Sequence, residues 1–196
     1  MFKLGLTGSI GMGKSTTATL FASEGCAVWD ADAAVHRLYS QNGAAVSLFQ
    51  KRLPTSVVEN AVSRPKLKAM IDEDPSILKT IEQIVHPLVH QDRLDFIVNT
   101  DVAVAVFDIP LLFENGSEGQ FDATACVHVA PDIQYARVMA RGTMSEDQFK
   151  TILSKQMPIA EKLAKADYQI ETDTIDHARS QVREILSQIN KAIADA

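Results

Sequence analysis

Apolar segments, and the polar residues that end them, divide the first part of the chain into strands and a helix. Residues 2–7 and 27–29 are short and apolar, and a helix-forming stretch runs between them from about Lys14 to Glu24. Gly25 follows that stretch, at a position where glycine commonly ends a helix. A strand, a helix and a second strand in this order predict an α/β fold with a parallel sheet.

Further strands are predicted in the second half of the chain. Residues 102–107 are apolar without interruption, which is typical of a strand buried on both faces of a sheet. Residues 125–129 and 168–170 are shorter strand candidates. Helices are predicted from residue 131 to about 141, from the capping-box sequence at 145–148, and from about 174 to 193.

The stretch from about residue 32 to residue 99 is predicted to be mostly helical, without a convincing strand. Prolines interrupt it, and each is expected at a helix start or break: Pro54, Pro65, Pro75 and Pro87. The sequence therefore predicts a parallel α/β core formed by residues 1–38 and 101–196, with a helical insertion at residues 39–100.

Composition is that of an ordinary soluble globular protein, with 46% apolar and 22% charged residues in 196. Cytoplasmic residence is expected, because no apolar run reaches the roughly 18 residues of a membrane span and the N-terminus lacks a signal-peptide pattern. The two cysteines, Cys26 and Cys126, are too few for a disulfide framework and are expected to be reduced. The net charge of −6 argues against a nucleic-acid binder with a generally positive surface.

Residues 8–15, with the sequence GSIGMGKS, match the phosphate-binding pattern G-x-x-x-x-G-K-[ST] at every fixed position. The glycines let the backbone approach phosphates closely, and the N-terminus of the following helix adds a positive end. Lys14 can reach the β- and γ-phosphates, and the Ser15 hydroxyl group can bind Mg²⁺. A nucleoside triphosphate site is therefore predicted; a glycine-rich turn without a ligand is the alternative.

Acidic residues follow two predicted strands, at the edge where open α/β sheets bind ligands. Asp108 ends an apolar run, as a Walker B aspartate would, and predicts a contact with Mg²⁺. Its alternative role is a strand-end turn or a helix cap. Asp30 and Asp32 follow the second strand, where either could cap a helix. An acid near the acceptor hydroxyl could also orient that group and accept its proton.

Basic residues late in the chain are candidates for binding phosphoryl oxygens. Arg137 and Arg141 are four positions apart and share one helix face, and arginine suits this task. A solvated helix face is the alternative. Lys155, Lys162 and Lys165 are expected on the surface rather than in a site.

Further motifs occur in a fixed order along nearly the whole chain. Residues 5–16 contain the phosphate-binding loop, 30–32 read Asp-Ala-Asp, 86–88 read His-Pro-Leu, and 108–114 read Asp-Ile-Pro-Leu-Leu-Phe-Glu. The two arginines, Gln156 and residues 163–167 follow. This set resembles the dephospho-coenzyme A kinase family, and the element at 108–114 is its most specific part.

The resemblance implies a P-loop NTPase-type fold, in which a five-stranded parallel sheet has flanking helices. It assigns the insertion at 39–100 to substrate binding and implies a mobile lid at about 137–166. The implied activity is the ATP-dependent phosphorylation of the ribose 3′-hydroxyl of dephospho-CoA, the last step of coenzyme A biosynthesis. Implied partners are these small molecules, not nucleic acid or membrane, and the chain is expected to be a monomer or small homo-oligomer.

The resemblance also implies roles for single residues. Asp32 is the implied base, and Arg64, His86 and Asp108 are implied on the acceptor side, although His86 could instead cap a helix start before Pro87. ATP with Mg²⁺ would contact the loop, Arg137 and Arg141, the loop residues being Gly11, Met12, Gly13, Lys14, Ser15 and Thr16. The chain departs from the family pattern at Gly142, 157–159 and 171–173, which concerns adenine contact and lid closure.

Two other functions remain open on the sequence alone. One is a P-loop kinase for another acceptor, such as a nucleoside monophosphate. The other is a nucleotide-dependent switch or regulatory binding module, although an Asn-Lys-x-Asp type of guanine-reading element is missing from the sequence.

Overall fold

The structure is a computed structural model that describes residues 1–195. Its strands are β1 (Phe2–Gly8), β2 (Ala27–Asp30), β3 (Val57–Val58), β4 (Ala61–Val62), β5 (Val104–Asp108), β6 (Ala123–His128) and β7 (Tyr168–Glu171). Its helices are α1 (Lys14–Ser23), α2 (Ala31–Tyr39), α3 (Val46–Arg52), α4 (Arg64–Glu73), α5 (Ile77–Val98), α6 (Pro131–Ala140), α7 (Glu146–Ser154), α8 (Ile159–Lys165) and α9 (Ile175–Ala194). Short 3₁₀ helices span Pro54–Ser56 and Glu118–Gln120.

The chain divides into two compact units. Unit 1 combines Met1–Trp29 with the chain from Asp101 onward, and unit 2 is Asp30–Thr100. Helices α7 and α8 belong to the stretch expected to form a lid. The lid and the substrate-binding role of the insertion stay predictions.

Unit 1 is built around a parallel sheet. Within the described residues the sheet has five strands in the order β2-β5-β1-β6-β7, which confirms the expected fold class. Strand β5 is buried along its whole length, as its continuous apolar run predicts. In the register between β1 and β5, Leu6 lies opposite Asp108, so the acid is beside the start of the phosphate-binding loop.

The core of unit 1 lies between this sheet and helices α1 and α9. Leu4 and Leu6 of β1 pack with Phe21 of α1 and with Val182 and Ile189 of α9. The last helix is therefore an amphipathic cover, as its periodicity predicts. The capping box that begins α7 is also confirmed, since Ser145 and Gln148 each accept the other's backbone N–H.

Unit 2 contains a β-hairpin that the sequence did not predict. Strands β3 and β4 pair antiparallel around Glu59 and Asn60, which have φ values of 48° and 59°. Positive φ at both central residues is the geometry that two-residue hairpins favour. The expectation of no strand between residues 32 and 99 is therefore wrong, because strands of two residues are too short to show alternation.

Pro87 lies inside α5, so a helix start before it, with His86 as the cap, is wrong. A proline in a helix interior removes one N–H donor, here the one that would reach Gln83. The buried side chains of Ile81, Ile84 and Val85 lie in the turns just before it and keep α5 packed in the core of unit 2. Burial thus outweighs the lost hydrogen bond.

Both cysteines are free thiols, as expected. Burial raises the pKa of Cys126 to about 12 and, with help from the nearby Glu24 charge, raises that of Cys26 to about 11. Both therefore stay protonated at neutral pH and are poor nucleophiles. Among residues 1–195, no helix combines the length and apolar character that crossing a membrane requires.

Candidate active site

The phosphate-binding loop connects β1 to α1 and contains two glycines in the left-handed backbone conformation. Gly11 and Gly13 have φ values of 78° and 87°, which side chains rarely adopt. A β-carbon added to Gly11 would lie 2.4 Å from Cγ2 of Val138, and one added to Gly8 would lie 2.4 Å from Cγ2 of Val127. The loop is therefore packed against α6 and β6 without space for side chains at these positions.

The N-terminus of α1 has the character of an anion site. In the described part of the chain no side chain caps it, and no acid lies in its first turn. Ser15 and Thr16 are exposed there. The first backbone N–H groups of a helix have no partner within the helix, and they carry the positive end of its dipole. Phosphate oxygens are suitable acceptors for them.

Lys14 and Asp108, both predicted site residues, contact each other. The Nζ atom of Lys14 forms an ion pair with Oδ1 of Asp108, whose side chain is 1% exposed. Asp108 is the last residue of β5, so its carboxylate lies at the carboxyl edge of the sheet, where ligands of such folds bind. The structure thus brings the proposed phosphate-binding lysine and the proposed metal-binding acid together.

The oxygen donors at this edge fit a magnesium ion that is shared with phosphates. Within residues 1–195 no group of three or more His, Cys, Asp or Glu side chains could hold a metal ion alone. Mg²⁺ in nucleotide sites needs only one or two protein ligands, with phosphate oxygens and water completing the shell. The Ser15 hydroxyl and the Asp108 carboxylate offer oxygen donors of this kind.

Side chains from distant parts of the chain bind the loop backbone directly. Nε2 of Gln134 donates to the Ile10 carbonyl at 2.6 Å, and the Ile10 N–H donates to Oε1 of Gln156 at 3.0 Å. The hydroxyl of Thr172 donates to the Met12 carbonyl at 2.8 Å. Gln156 belongs to a motif of the sequence. The other two were missed, because a glutamine in a helix and a threonine after a strand carry no local signal.

A cleft of about 270 Å³ lies beside the N-terminus of α1. It brings together predicted residues of the loop and of the arginine pair with the turn after β7. Its lining comprises Gly13, Thr16, Thr17, Arg137, Arg141, residues 172–175 and Ala178.

The two arginines of the cleft differ in their surroundings. Arg137 donates from Nη1 to the Thr172 hydroxyl at 3.1 Å, and from Nη2 to the carbonyls of Thr172 at 2.6 Å and Asp173 at 3.3 Å. Arg141 lies at the C-terminal end of α6 and is exposed. Arg137 is therefore fixed to the turn after β7, whereas Arg141 has room to move.

Lys162 is fully buried, so its expected place on the surface is wrong. Its Nζ atom lies 2.8 Å from Oε1 of Glu114 and donates to the Pro110 carbonyl at 3.3 Å. A carboxylate and a carbonyl together satisfy a buried ammonium group, which composition alone cannot reveal. Lys155 and Lys165 are exposed, as expected.

Glu114 is held in its charged form. Burial pushes its pKa up, but hydrogen bonds from Lys162 and from the Met157 backbone N–H, with the charge of Lys162, hold the pKa below the ordinary glutamate value. The Met157 bond measures 2.9 Å. The 108–114 element is thereby tied to the segment between α7 and α8.

The predicted residues of unit 2 have different environments. Asp30 caps α2, since its Oδ1 accepts the Ala33 N–H at 2.9 Å. Asp32 lies exposed in the first turn of that helix. Arg64 begins α4, with its guanidinium carbon 5.8 Å from the centre of the Tyr39 ring, and His86 is exposed on α5. Of the two acids, Asp30 therefore serves as a helix cap, and Asp32 has the more exposed side chain.

Comparison with known proteins shows which family the chain belongs to. The family model described as dephospho-CoA kinase matches residues 2–177. A dephospho-CoA kinase of Ruegeria pomeroyi is 62% identical, covering 96% of this chain and 95% of that protein. A solved Thermus thermophilus structure superposes with a TM-score of 0.85 at 30% identity, covering 95% of this chain and 97% of the other. For a Campylobacter jejuni dephospho-CoA kinase the TM-score is 0.63 at 25% identity, covering 95% and 96%. The chain belongs to the dephospho-CoA kinase family, whose members phosphorylate dephospho-CoA with ATP.

Proposed function

We propose that the chain transfers the γ-phosphoryl group of ATP to the ribose 3′-hydroxyl of dephospho-CoA by in-line displacement. The ion pair between Lys14 and Asp108, beside the open N-terminus of α1, is the observation that carries this proposal. The ammonium group and the backbone N–H groups there can stabilise the charge of the transferred group without covalent chemistry by the protein.

The proposed ATP-binding residues belong to unit 1. The phosphates of ATP bind residues 11–16, and the adenosine occupies the cleft beside Arg137. Since Arg137 is already hydrogen bonded to the turn after β7, we assign it to the cleft wall. Arg141 is free to turn toward the oxygens of the transferred group, where an arginine stabilises developing charge.

Ser15 and Asp108 are the proposed ligands of Mg²⁺. A magnesium ion held by these two residues would neutralise negative charge on the phosphates. In this arrangement Lys14 leaves Asp108 when ATP binds and contacts the phosphates instead. The lysine therefore pairs with a carboxylate before ATP binds and with phosphate afterwards. The low exposure of Asp108 keeps water from competing for its oxygens.

The residues proposed for the acceptor belong to unit 2. Asp32 accepts the proton of the ribose hydroxyl as that oxygen forms its bond to phosphorus and the bond to the bridging oxygen of ADP breaks. The Asp30 cap holds the first turn of α2, and so the backbone that carries Asp32. Arg64 and His86, both exposed cations or potential cations, contact the phosphate groups of the acceptor.

A coupled ADP-release assay tests this function. ADP release should require dephospho-CoA, and the product should carry the new phosphate on the 3′ oxygen. Asp32→Asn should lower kcat by about 10²- to 10⁴-fold, the usual contribution of a general base. Asp72→Asn, at an exposed acid of α4, is the control and should keep wild-type turnover.

Near wild-type turnover of Asp32→Asn would show that Asp32 is not the base. ADP release that is as fast without acceptor would contradict the transfer itself. The oligomeric state and cytoplasmic residence stay predictions from the sequence.

A further inference from the structure

We infer that Thr172 is a positioning residue for the nucleotide, because its hydroxyl joins the phosphate-binding loop to Arg137 on the wall of the cleft. The inference rests on the proposed function, in which ATP occupies this cleft. Thr172 belongs to none of the motifs in the sequence, and it lies in a stretch that departs from the family pattern.

The hydrogen bonds of Thr172 assign its hydroxyl proton. The residue directly follows β7 and is 6% exposed. Its backbone N–H donates to the His128 carbonyl at 2.9 Å, so that carbonyl already has a donor. A hydroxyl has a single proton to donate. We assign the proton to the Met12 carbonyl, because at 2.8 Å it is the closer acceptor, whereas the His128 carbonyl lies at 3.2 Å and already has the backbone donor.

The same oxygen accepts a hydrogen bond from the cleft. Nη1 of Arg137 lies 3.1 Å from it, and Nη2 binds the Thr172 carbonyl at 2.6 Å. One side of Thr172 thus fixes the loop at Met12, and the other fixes the guanidinium group. Because both hydrogen bonds use Oγ1 of Thr172, they fix the distance between the Met12 carbonyl and the guanidinium group of Arg137.

Packing supports this arrangement independently. A β-carbon added to Gly13 would lie 3.0 Å from Oγ1 and 3.1 Å from Cβ of Thr172. Thr172 is therefore in contact with the loop at the residue that precedes α1. Its side chain sets how closely the loop approaches the turn after β7, in addition to bonding to it.

Loss of the hydroxyl removes both bonds while leaving the volume of the side chain unchanged. In Thr172→Val the Met12 carbonyl loses its side-chain donor, and Nη1 of Arg137 loses its acceptor. The loop and the guanidinium group then relax before ATP binds and must be reordered by it. The cost falls on ATP binding, while the acceptor and the chemical step with both substrates bound are little affected.

The experiment compares Thr172→Val with Thr172→Ser, which keeps the hydroxyl. Steady-state rates with each substrate varied give KM for ATP, KM for dephospho-CoA and kcat. Thr172→Val should raise KM for ATP by about tenfold, the equivalent of one or two lost hydrogen bonds. Thr172→Ser should stay within about a factor of two of wild type on all three constants.

Thr124→Val is the matched control. Thr124 is also a buried threonine, at 4% exposure, and its hydroxyl binds Oδ2 of Asp167 at 2.9 Å near the amino end of β6. Its loss should lower the unfolding temperature and leave KM for ATP unchanged. An effect on KM in Thr172→Val but not in Thr124→Val separates positioning from general destabilisation.

An unchanged KM for ATP in Thr172→Val, a Thr172→Ser variant as impaired as Thr172→Val, or an equal rise in Thr124→Val would each overturn the inference. If Thr172→Val does not fold, Thr172→Ala against Thr172→Ser isolates the hydroxyl in the same way. The rise in unfolding temperature caused by ATP is measured for every variant. A wild-type chain that binds ATP but does not phosphorylate dephospho-CoA contradicts the proposed function alone.

Discussion

The Lys162 ammonium group, which has no exposed surface, lies 2.8 Å from a carboxylate oxygen of Glu114. Glu114 closes the 108–114 element, and Lys162 lies on α8. The pair therefore connects the segment after β5 to a helix of the predicted lid stretch. The same carboxylate oxygen accepts the Met157 N–H, which adds a second link between these segments.

Lys162→Met should destabilise the fold, because it leaves the Glu114 carboxylate largely buried without its cation. Breaking such a pair from one side costs about 3 kcal/mol or more. Urea unfolding at neutral pH measures the change. Lys150→Met, which removes an exposed partner of Glu146, is the control and should change little. An unchanged midpoint for Lys162→Met would contradict a stabilising role for the pair.

The Glu114 contribution to stability should depend on pH. Hydrogen bonds from Lys162 and Met157 outweigh burial and hold its folded pKa below the ordinary value, so the folded state binds fewer protons there. The stabilisation is full above the unfolded pKa of about 4.3 and is lost as pH falls through the lower folded pKa. The difference in unfolding free energy between wild type and Glu114→Gln should therefore be largest near neutral pH and shrink in acid. Parallel pH curves would contradict this.

Gly13→Ala and Gly25→Ala should cost similar stability, but they should differ in their effect on KM for ATP. Both glycines are left-handed, with φ values of 87° and 92°, so each alanine should cost about 1 kcal/mol of stability. A β-carbon at Gly13 meets Thr172, whereas one at Gly25 meets nothing within 4 Å. Only Gly13→Ala should raise KM for ATP, as measured by ADP release. An equal KM in the two variants would show that the contact with Thr172 is unimportant.

Arg141→Gln should mainly lower kcat, whereas Arg137→Gln should mainly raise KM for ATP. Arg141 is exposed at the cleft, so its removal should lower kcat by about 10²-fold through lost charge stabilisation. Arg137 is bonded to Thr172 and Asp173, so its removal should raise KM for ATP and lower the unfolding temperature. Steady-state kinetics and thermal unfolding of both variants provide the test. Equal losses of kcat would contradict the division of roles.

Features encoded within a few neighbouring residues could be predicted from the sequence. The phosphate-binding loop, the buried run that ends at Asp108 and the capping box at Ser145 are of this kind, since each pattern determines its own backbone. These patterns were sufficient to predict the parallel sheet and to place Lys14 and Asp108 at the same edge of it.

Features that depend on a distant partner could not be predicted. Lys162 carries the pattern of a surface lysine, and only the fold supplies Glu114 and Pro110 as its partners. Thr172 contacts Met12, which is 160 positions away in the chain. The hairpin of β3 and β4 was not predicted for a local reason. Its turn uses Glu59 and Asn60 and lacks the glycine that usually marks such a turn.

No loop residue separates strand β2 from helix α2, because Asp30 is both the last residue of the strand and the N-cap of the helix. Each residue of an α-helix turns the next by about 100° around the axis. One residue inserted or deleted between positions 30 and 32 would therefore rotate the Asp32 carboxylate by that angle relative to its cap. The spacing of the two acids is thus a constraint on insertions and deletions during evolution, separate from the constraint on their chemical identity.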